Sequence, residues 1–167
     1  LNPDRDVREA AQNFSVASTA ANALMLAEQL MEKKAYAEAA ELLEHSMKGI
    51  HATDPELMLA LARARFGMRD YPACLNSLDD LKHHNPQSTT ADGHLLYARA
   101  LEKAGKINEA RAEYEALVGY YPGPEPACRL ARLLAAGGDV AGSKALYQSV
   151  LETSRVSGKH YHQLHKR

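Results

Sequence analysis

The feature that most constrains this chain is a period. Tyr36, Tyr71, Ile107 and Val140 each follow a short turn that interrupts a helical apolar pattern, and their spacings are 35, 36 and 33 residues. A supersecondary unit of about 34 residues that recurs four times is too small to bury its own apolar faces, so neighbouring units have to stack and share one core. The clearest unit is Thr90 to Pro122, in which Ala98, Leu101, Gly105, Ile107, Ala110, Tyr114, Leu117 and Pro122 supply small, apolar, turn and stop residues in the order a helical hairpin needs.

Around this unit the chain divides at 1–16, a short helix and linker; 17–53, 54–88, 89–122 and 123–155, four helical hairpins; and 156–167, an end helix. Asn2 with Pro3, Asp4 and Asp6 reads as a capped helix start running to about Phe14, with a polar break over Ser15 to Thr19. Asp54-Pro55-Glu56 is a stronger start signal, since Asp caps, Pro is preorganised for the first turn and Glu complements the helix dipole. Turns fall at Lys34-Ala35, at Met68-Arg69-Asp70, at Gly105 and at Gly137-Gly138-Asp139. The tail after Val156, SGKHYHQLHKR, is basic and closes the stack as a solvating helix.

The register of residue sizes identifies a family. Ala27, Ala62, Ala98 and Ala131 occupy the close helix-helix contact of successive first helices, Ala39, Cys74, Ala110 and Ser143 open the second helices, and Leu43, Leu78, Tyr114 and Tyr147 follow four residues later. With Pro86 and Pro122 at the closing position, this pattern over residues 20 to 155 resembles the tetratricopeptide repeat family. The family's Trp is absent, its first-helix Gly is Ala throughout, and His51 and Arg155 replace the closing proline in the outer units. The resemblance implies an all-α, right-handed solenoid of about four repeats whose first helices line a concave groove, and a non-enzymatic protein-interaction role.

A narrower resemblance rests on NPDRD, HATDPELMLALARARFGMRDY, DGHLLYARALE and ARAEYEALVGYYPGPEPACRLARLL. These segments look like the soluble part of bacterial tetratricopeptide proteins bearing an N-terminal hydrophobic hairpin, similar to the one that precedes cardiolipin synthases. That resemblance implies a domain held on the cytoplasmic side of the inner membrane by a segment ahead of Leu1. LNPDRD is itself neither a signal peptide nor an initiator methionine, and no run approaches the ~18 to 20 apolar residues that span a bilayer.

Charge narrows the partners. Twenty Lys plus Arg against 21 Asp plus Glu leave a formal charge of -1, so no overall basic field draws the chain to nucleic acid. Recognition has to be local. The sequence holds no phosphate loop, His-Glu-x-x-His or Gly-x-Ser-x-Gly, and thus no catalytic, metal or cofactor site is assigned. His160, His162 and His165 read as a solvated tail, and His83-His84 as the dipole-favoured end of a helix. Cys74 and Cys128 read as small buried residues.

The informative polar feature is an arginine series. Arg63, Arg99 and Arg132 each follow the packing alanine of a first helix, and their spacings of 36 and 33 residues track the repeat. The groove face then carries Leu59-Arg63-Phe66, Leu95-Arg99-Glu102 and Cys128-Arg132-Ala135 at i, i+4, i+7, with Arg129 one turn before Leu133 and Leu24-Glu28-Met31 breaking the series in the first unit. Two uses fit this pattern. Guanidinium forks beside leucines suit a peptide bearing carboxylates; alternatively the arginines pair with Glu28, Glu102, Glu56, Asp92 or Glu125 and tie repeats together. The series differs from the two-lysine, two-asparagine clamp of chaperone-binding members of the family. Tyr120, Tyr121, Tyr147 and Tyr161 read as an inter-repeat packing cluster. The alternative to a peptide partner is a homo-oligomer formed through the ends or the convex face, or a regulatory domain of a membrane-associated, lipid-related complex.

Overall fold

The computed structural model describes residues 3–164, and side-chain surroundings over residues 4–156. Nine α-helices follow one another among the described residues: α1 (Pro3–Val16), α2 (Ala20–Glu32), α3 (Tyr36–Ser46), α4 (Pro55–Gly67), α5 (Tyr71–His84), α6 (Ala91–Lys103), α7 (Ile107–Val118), α8 (Glu125–Ala136) and α9 (Val140–Leu164), with a 3-10 turn at Gly49–His51. The pairs α2/α3, α4/α5, α6/α7 and α8/α9 are hairpins, and each second helix packs against the next first helix. No strand occurs among the described residues.

Side-chain oxygens set the first-helix starts. Thr19 accepts from the Asn22 amide at 3.2 Å, Thr90 from Gly93 at 3.0 Å, and Asp54 from Glu56 and Leu57 at 2.9 and 3.2 Å. Thr19 therefore moves the start of α2 to Ala20 rather than Ala17, and α1 continues to Val16, two residues past the expected Phe14. Asn2, expected to cap α1, lies outside the described residues.

All four hairpin turns share one backbone solution. The amides of Lys34, Arg69, Gly105 and Gly138 donate to the carbonyls of Met31, Phe66, Glu102 and Ala135, and the next amides reach back to Leu30, Arg65, Leu101 and Leu134 at 2.8 to 3.0 Å. This is a Schellman closure, which requires a left-handed residue. Gly105 and Gly138 adopt it at φ 79° and 92°, and Lys34 and Arg69 at 62° and 64°.

Small residues then let the helices meet. Ala27, Ala62, Ala98 and Ala131 are fully buried, as are Ala39, Cys74 and Ala110, with Ser143 at 5% exposure. Leu43, Leu78 and Tyr114 fill the position four residues on, whereas Tyr147 on α9 is 42% exposed. Two apolar clusters result, one over α2 to α4 and a larger one spanning α4 to α8. The tail differs from expectation: α9 runs unbroken across 155–156 to Leu164, so no separate end helix begins there. The side chains of His160, Tyr161, His162 and His165 lie outside the described residues.

Candidate functional site

Successive first helices α2, α4 and α6 contact one another, which places Arg63 and Arg99 on adjoining elements, and Arg132 on α8 reaches Glu102 on α6. The members have different surroundings. Arg132 donates from Nη2 to Glu102 Oε1 at 2.9 Å, and Arg129 lies 3.7 Å from Glu102 Oε2 while its Nε bonds Glu125 Oε1 at 2.8 Å. Tyr114 donates its hydroxyl to Glu102 Oε2 at 2.6 Å. Glu102, 12% exposed at its side chain, thus gathers two cations and a phenol between α6, α7 and α8. Burial pushes its carboxyl upward, but the Tyr114 hydroxyl and the two arginines outweigh that and hold it below the ordinary value. Arg132 and Arg129 therefore make the internal pairing that the sequence offered as the alternative to ligand contact.

Arg99 and Arg63 are different. The Arg99 guanidinium carbon sits 4.9 Å from the centroid of the Phe66 ring, a cation over an aromatic face. Phe66 is itself held edge-on by Tyr71 at 5.4 Å. Arg99 Nε is buried without a hydrogen-bond partner among the described residues. Leaving a buried donor unsatisfied costs about 1 to 3 kcal/mol, so this is an expensive place to keep a cation. Leu95 is buried beneath it and Leu59 is half-buried on α4, in contact range of the start of α6 at Gly93. Arg63 on α4 and Glu28 on α2 are exposed, and neither makes an ion pair or hydrogen bond with a described residue.

The structure thus brings together Leu59, Phe66, Leu95 and Arg99 at the α4–α6 junction, leaves Arg63 and Glu28 standing outward, and commits Arg129 and Arg132 to Glu102. One structural cation escaped sequence reading. Arg65 bonds Glu44 at 2.9 Å and Ser77 at 2.6 Å, joining α3, α4 and α5; it lies two residues from Arg63 and looks the same in sequence. The tyrosines do not form one cluster. Tyr120 stacks on His94, Tyr121 donates to Asp92 at 3.1 Å, and Tyr147 reaches the Cys128 carbonyl at 3.5 Å. Cys74 is buried as expected, with burial raising its thiol to about 12, while Cys128 is only half-buried, short of the expected burial. Among the described residues no group of three or more His, Cys, Asp or Glu is placed to hold a metal, and no helix is long and apolar enough to cross a membrane.

Residues 92–124 match the tetratricopeptide repeat family model. Among solved structures, MamA from Desulfovibrio magneticus superposes with a TM-score of 0.78 at 13% identity, over 92% of this chain and 86% of that one. A thermophilic tetratricopeptide protein of Thermus thermophilus gives 0.71 at 18% identity, over 90% and 82%. YrrB, described as a tetratricopeptide protein with an unusual peptide-binding site, gives 0.67 at 15% identity, over 90% and 77%. No curated protein sequence matches the chain. Residues 92–124 thus match a tetratricopeptide repeat, within an all-helical solenoid whose fold is like that of tetratricopeptide proteins along most of its length.

Proposed function

We propose that this domain is a non-enzymatic protein-interaction module that holds a peptide segment of a partner on the face of α4 and α6. Arg99 and Arg63 take a carboxylate of the peptide, and Leu59, Phe66 and Leu95 take the neighbouring apolar side chain. The observation that carries this reading is Arg99: its charge rests on Phe66, with no carboxylate of a described residue bonded to it and with Nε lacking an acceptor among them. A peptide carboxylate would bond the terminal nitrogens of that guanidinium, in the bidentate form the group favours. The likeness to a peptide-binding tetratricopeptide protein supports the class of partner. Arg132 and Arg129 stay with Glu102 and keep α6, α7 and α8 in register.

Selection from a random peptide display library tests it. The wild-type domain should enrich sequences with Asp or Glu beside a large apolar residue, and Arg63→Glu/Arg99→Glu, folded by circular dichroism, should lose that enrichment. Equal enrichment by both proteins sinks the proposal.

A second reading is favoured by α9. Val140, Tyr147 and Leu151 are 67%, 42% and 61% exposed and share one face of α9, an apolar stripe that suits self-association. Light scattering would then show mass rising with concentration in the wild type and not in Leu151→Glu; a concentration-independent monomer removes this reading. Tethering of the domain to the cytoplasmic side of the inner membrane, and regulation of a lipid-related complex, rest on the sequence resemblance alone. Sequencing upstream of Leu1 tests both: finding no hydrophobic hairpin there would withdraw them.

A further inference from the structure

The side of α6 turned away from Arg99 holds a second feature. Tyr97 and Arg99 point about 160° apart around the helix, as two residues at 3.6 per turn require. On the Tyr97 side, the end of α5, the start of α6 and α7 enclose a half-open pocket of about 480 Å³. Its aromatic walls are Tyr97 and Tyr120, and its charged groups are Asp79, Lys82, His94 and Glu113.

The polar wall is built, not incidental. His94 stacks on Tyr120 with ring centroids 5.8 Å apart, bonds the Tyr120 hydroxyl through Nδ1, and holds Glu113 Oε2 through Nε2 at 2.5 Å. Both ring nitrogens are used, so the imidazole fixes a carboxylate and an aromatic ring beside the pocket from two different elements. Among the described residues, the other Glu113 oxygen makes no hydrogen bond and Asp79 makes no hydrogen bond or ion pair. Besides His94, the lining carries the two carboxylates Asp79 and Glu113 against the single ammonium of exposed Lys82. Burial, followed by the negative charges of Asp79, Glu113 and Glu109, pushes the Tyr97 hydroxyl above its ordinary value, which agrees with a negative potential at that wall.

Aromatic faces beside the Asp79 carboxylate and the second oxygen of the His94-bound Glu113 carboxylate are complementary to a single kind of group. We infer that this pocket binds an organic cation, a guanidinium or alkylammonium group, between Tyr97 and Tyr120 with its charge against Asp79 and Glu113. Such a group comes either as an arginine or lysine side chain of a partner or as a free small amine. The site is independent of the Arg99 face.

Amide chemical-shift titration of the wild-type domain tests this with three probes: Ac-Gly-Arg-Gly-NH2, its citrulline counterpart, which keeps the shape and removes the charge, and agmatine. The arginine peptide should give saturable shifts over residues 78–82, 93–97 and 113, and the citrulline peptide none. Asp79→Asn, at an exposed position, should weaken binding by about fivefold, and Lys82→Met should strengthen it by a similar factor, the range expected of one solvent-exposed charge pair. Agmatine binding as tightly as the peptide assigns the pocket to free amines; peptide binding alone assigns it to a side chain. Equal shifts with arginine and citrulline, no saturable shifts with any cation, or unchanged affinity in both variants overturns the inference. Arg63→Glu/Arg99→Glu should leave these shifts in place, so failure here and failure of the peptide-binding reading are separately visible.

Discussion

Glu102 is the residue on which the third and fourth repeats are joined. Tyr114, Arg132 and Arg129 converge on one nearly enclosed carboxylate, so Glu102→Gln loses charge-assisted bonds and should destabilise the domain by about 1 to 2 kcal/mol in chemical denaturation. The effect has a defined pH dependence. The folded carboxyl lies below its ordinary value of 4.5, so its contribution is present above that value and is lost as pH falls through the folded pKa. The stability gap between wild type and Glu102→Gln should therefore narrow below about pH 4.5; a gap unchanged down to pH 3 or so would contradict the ion-pair account. A second residue-scale contrast lies in the thiols. Cys74 is buried, with its thiol raised to about 12, and Cys128 is half-buried. At pH 8 a maleimide should label one cysteine per native chain rapidly, at Cys128, and the second only on unfolding. At this scale the sequence allowed ligand contact and internal pairing equally, because Arg99, Arg129 and Arg132 share a helix stripe. Which carboxylate reaches which guanidinium depends on the rotation of α8 against α6, and one-dimensional spacing does not carry that.

Elements were far more legible. The four second helices begin at Tyr36, Tyr71, Ile107 and Val140, the positions from which the period was counted. Their apolar registers and caps are local signals, and the alanines that mark close contact are all buried. The turns were located but not their strain. Gly105 and Gly138 announce a left-handed residue, whereas Lys34 and Arg69 hold the same conformation with side chains that disfavour it. Replacing them by glycine relieves a steric cost and adds backbone entropy to the unfolded chain, two opposed terms. With a left-handed cost of roughly 1 to 2 kcal/mol against a glycine entropy cost of about 0.5 to 1, Arg69→Gly should be stabilising by a fraction of a kcal/mol and Gly105→Ala destabilising by about 1. Thermal unfolding of the two variants checks the sign of each. The continuation of α9 past 155 was not legible, because the loss of the closing proline at Arg155 removes a stop without supplying a start.

For the whole molecule, stacking has an energetic consequence. Each hairpin contacts only its neighbours, and the larger cluster spans α4 to α8, so local stability should be greatest there and fall toward both ends. Native-state hydrogen exchange should find the slowest amides in α5 to α7 and the fastest in α1 and the outer half of α9; uniform protection along the chain would contradict a nearest-neighbour stack. The same arrangement sets α4 and α6 side by side at the middle of the array, with Phe66 from one under Arg99 from the other. The most direct test of peptide binding is therefore the Nε–Hε resonance of Arg99, followed by NMR during titration with an acidic peptide recovered from display. The account predicts a large, saturable shift of that resonance, absent when the peptide's carboxylate is replaced by its amide. A peptide that saturates the domain while leaving the Arg99 Nε–Hε signal unmoved would contradict it.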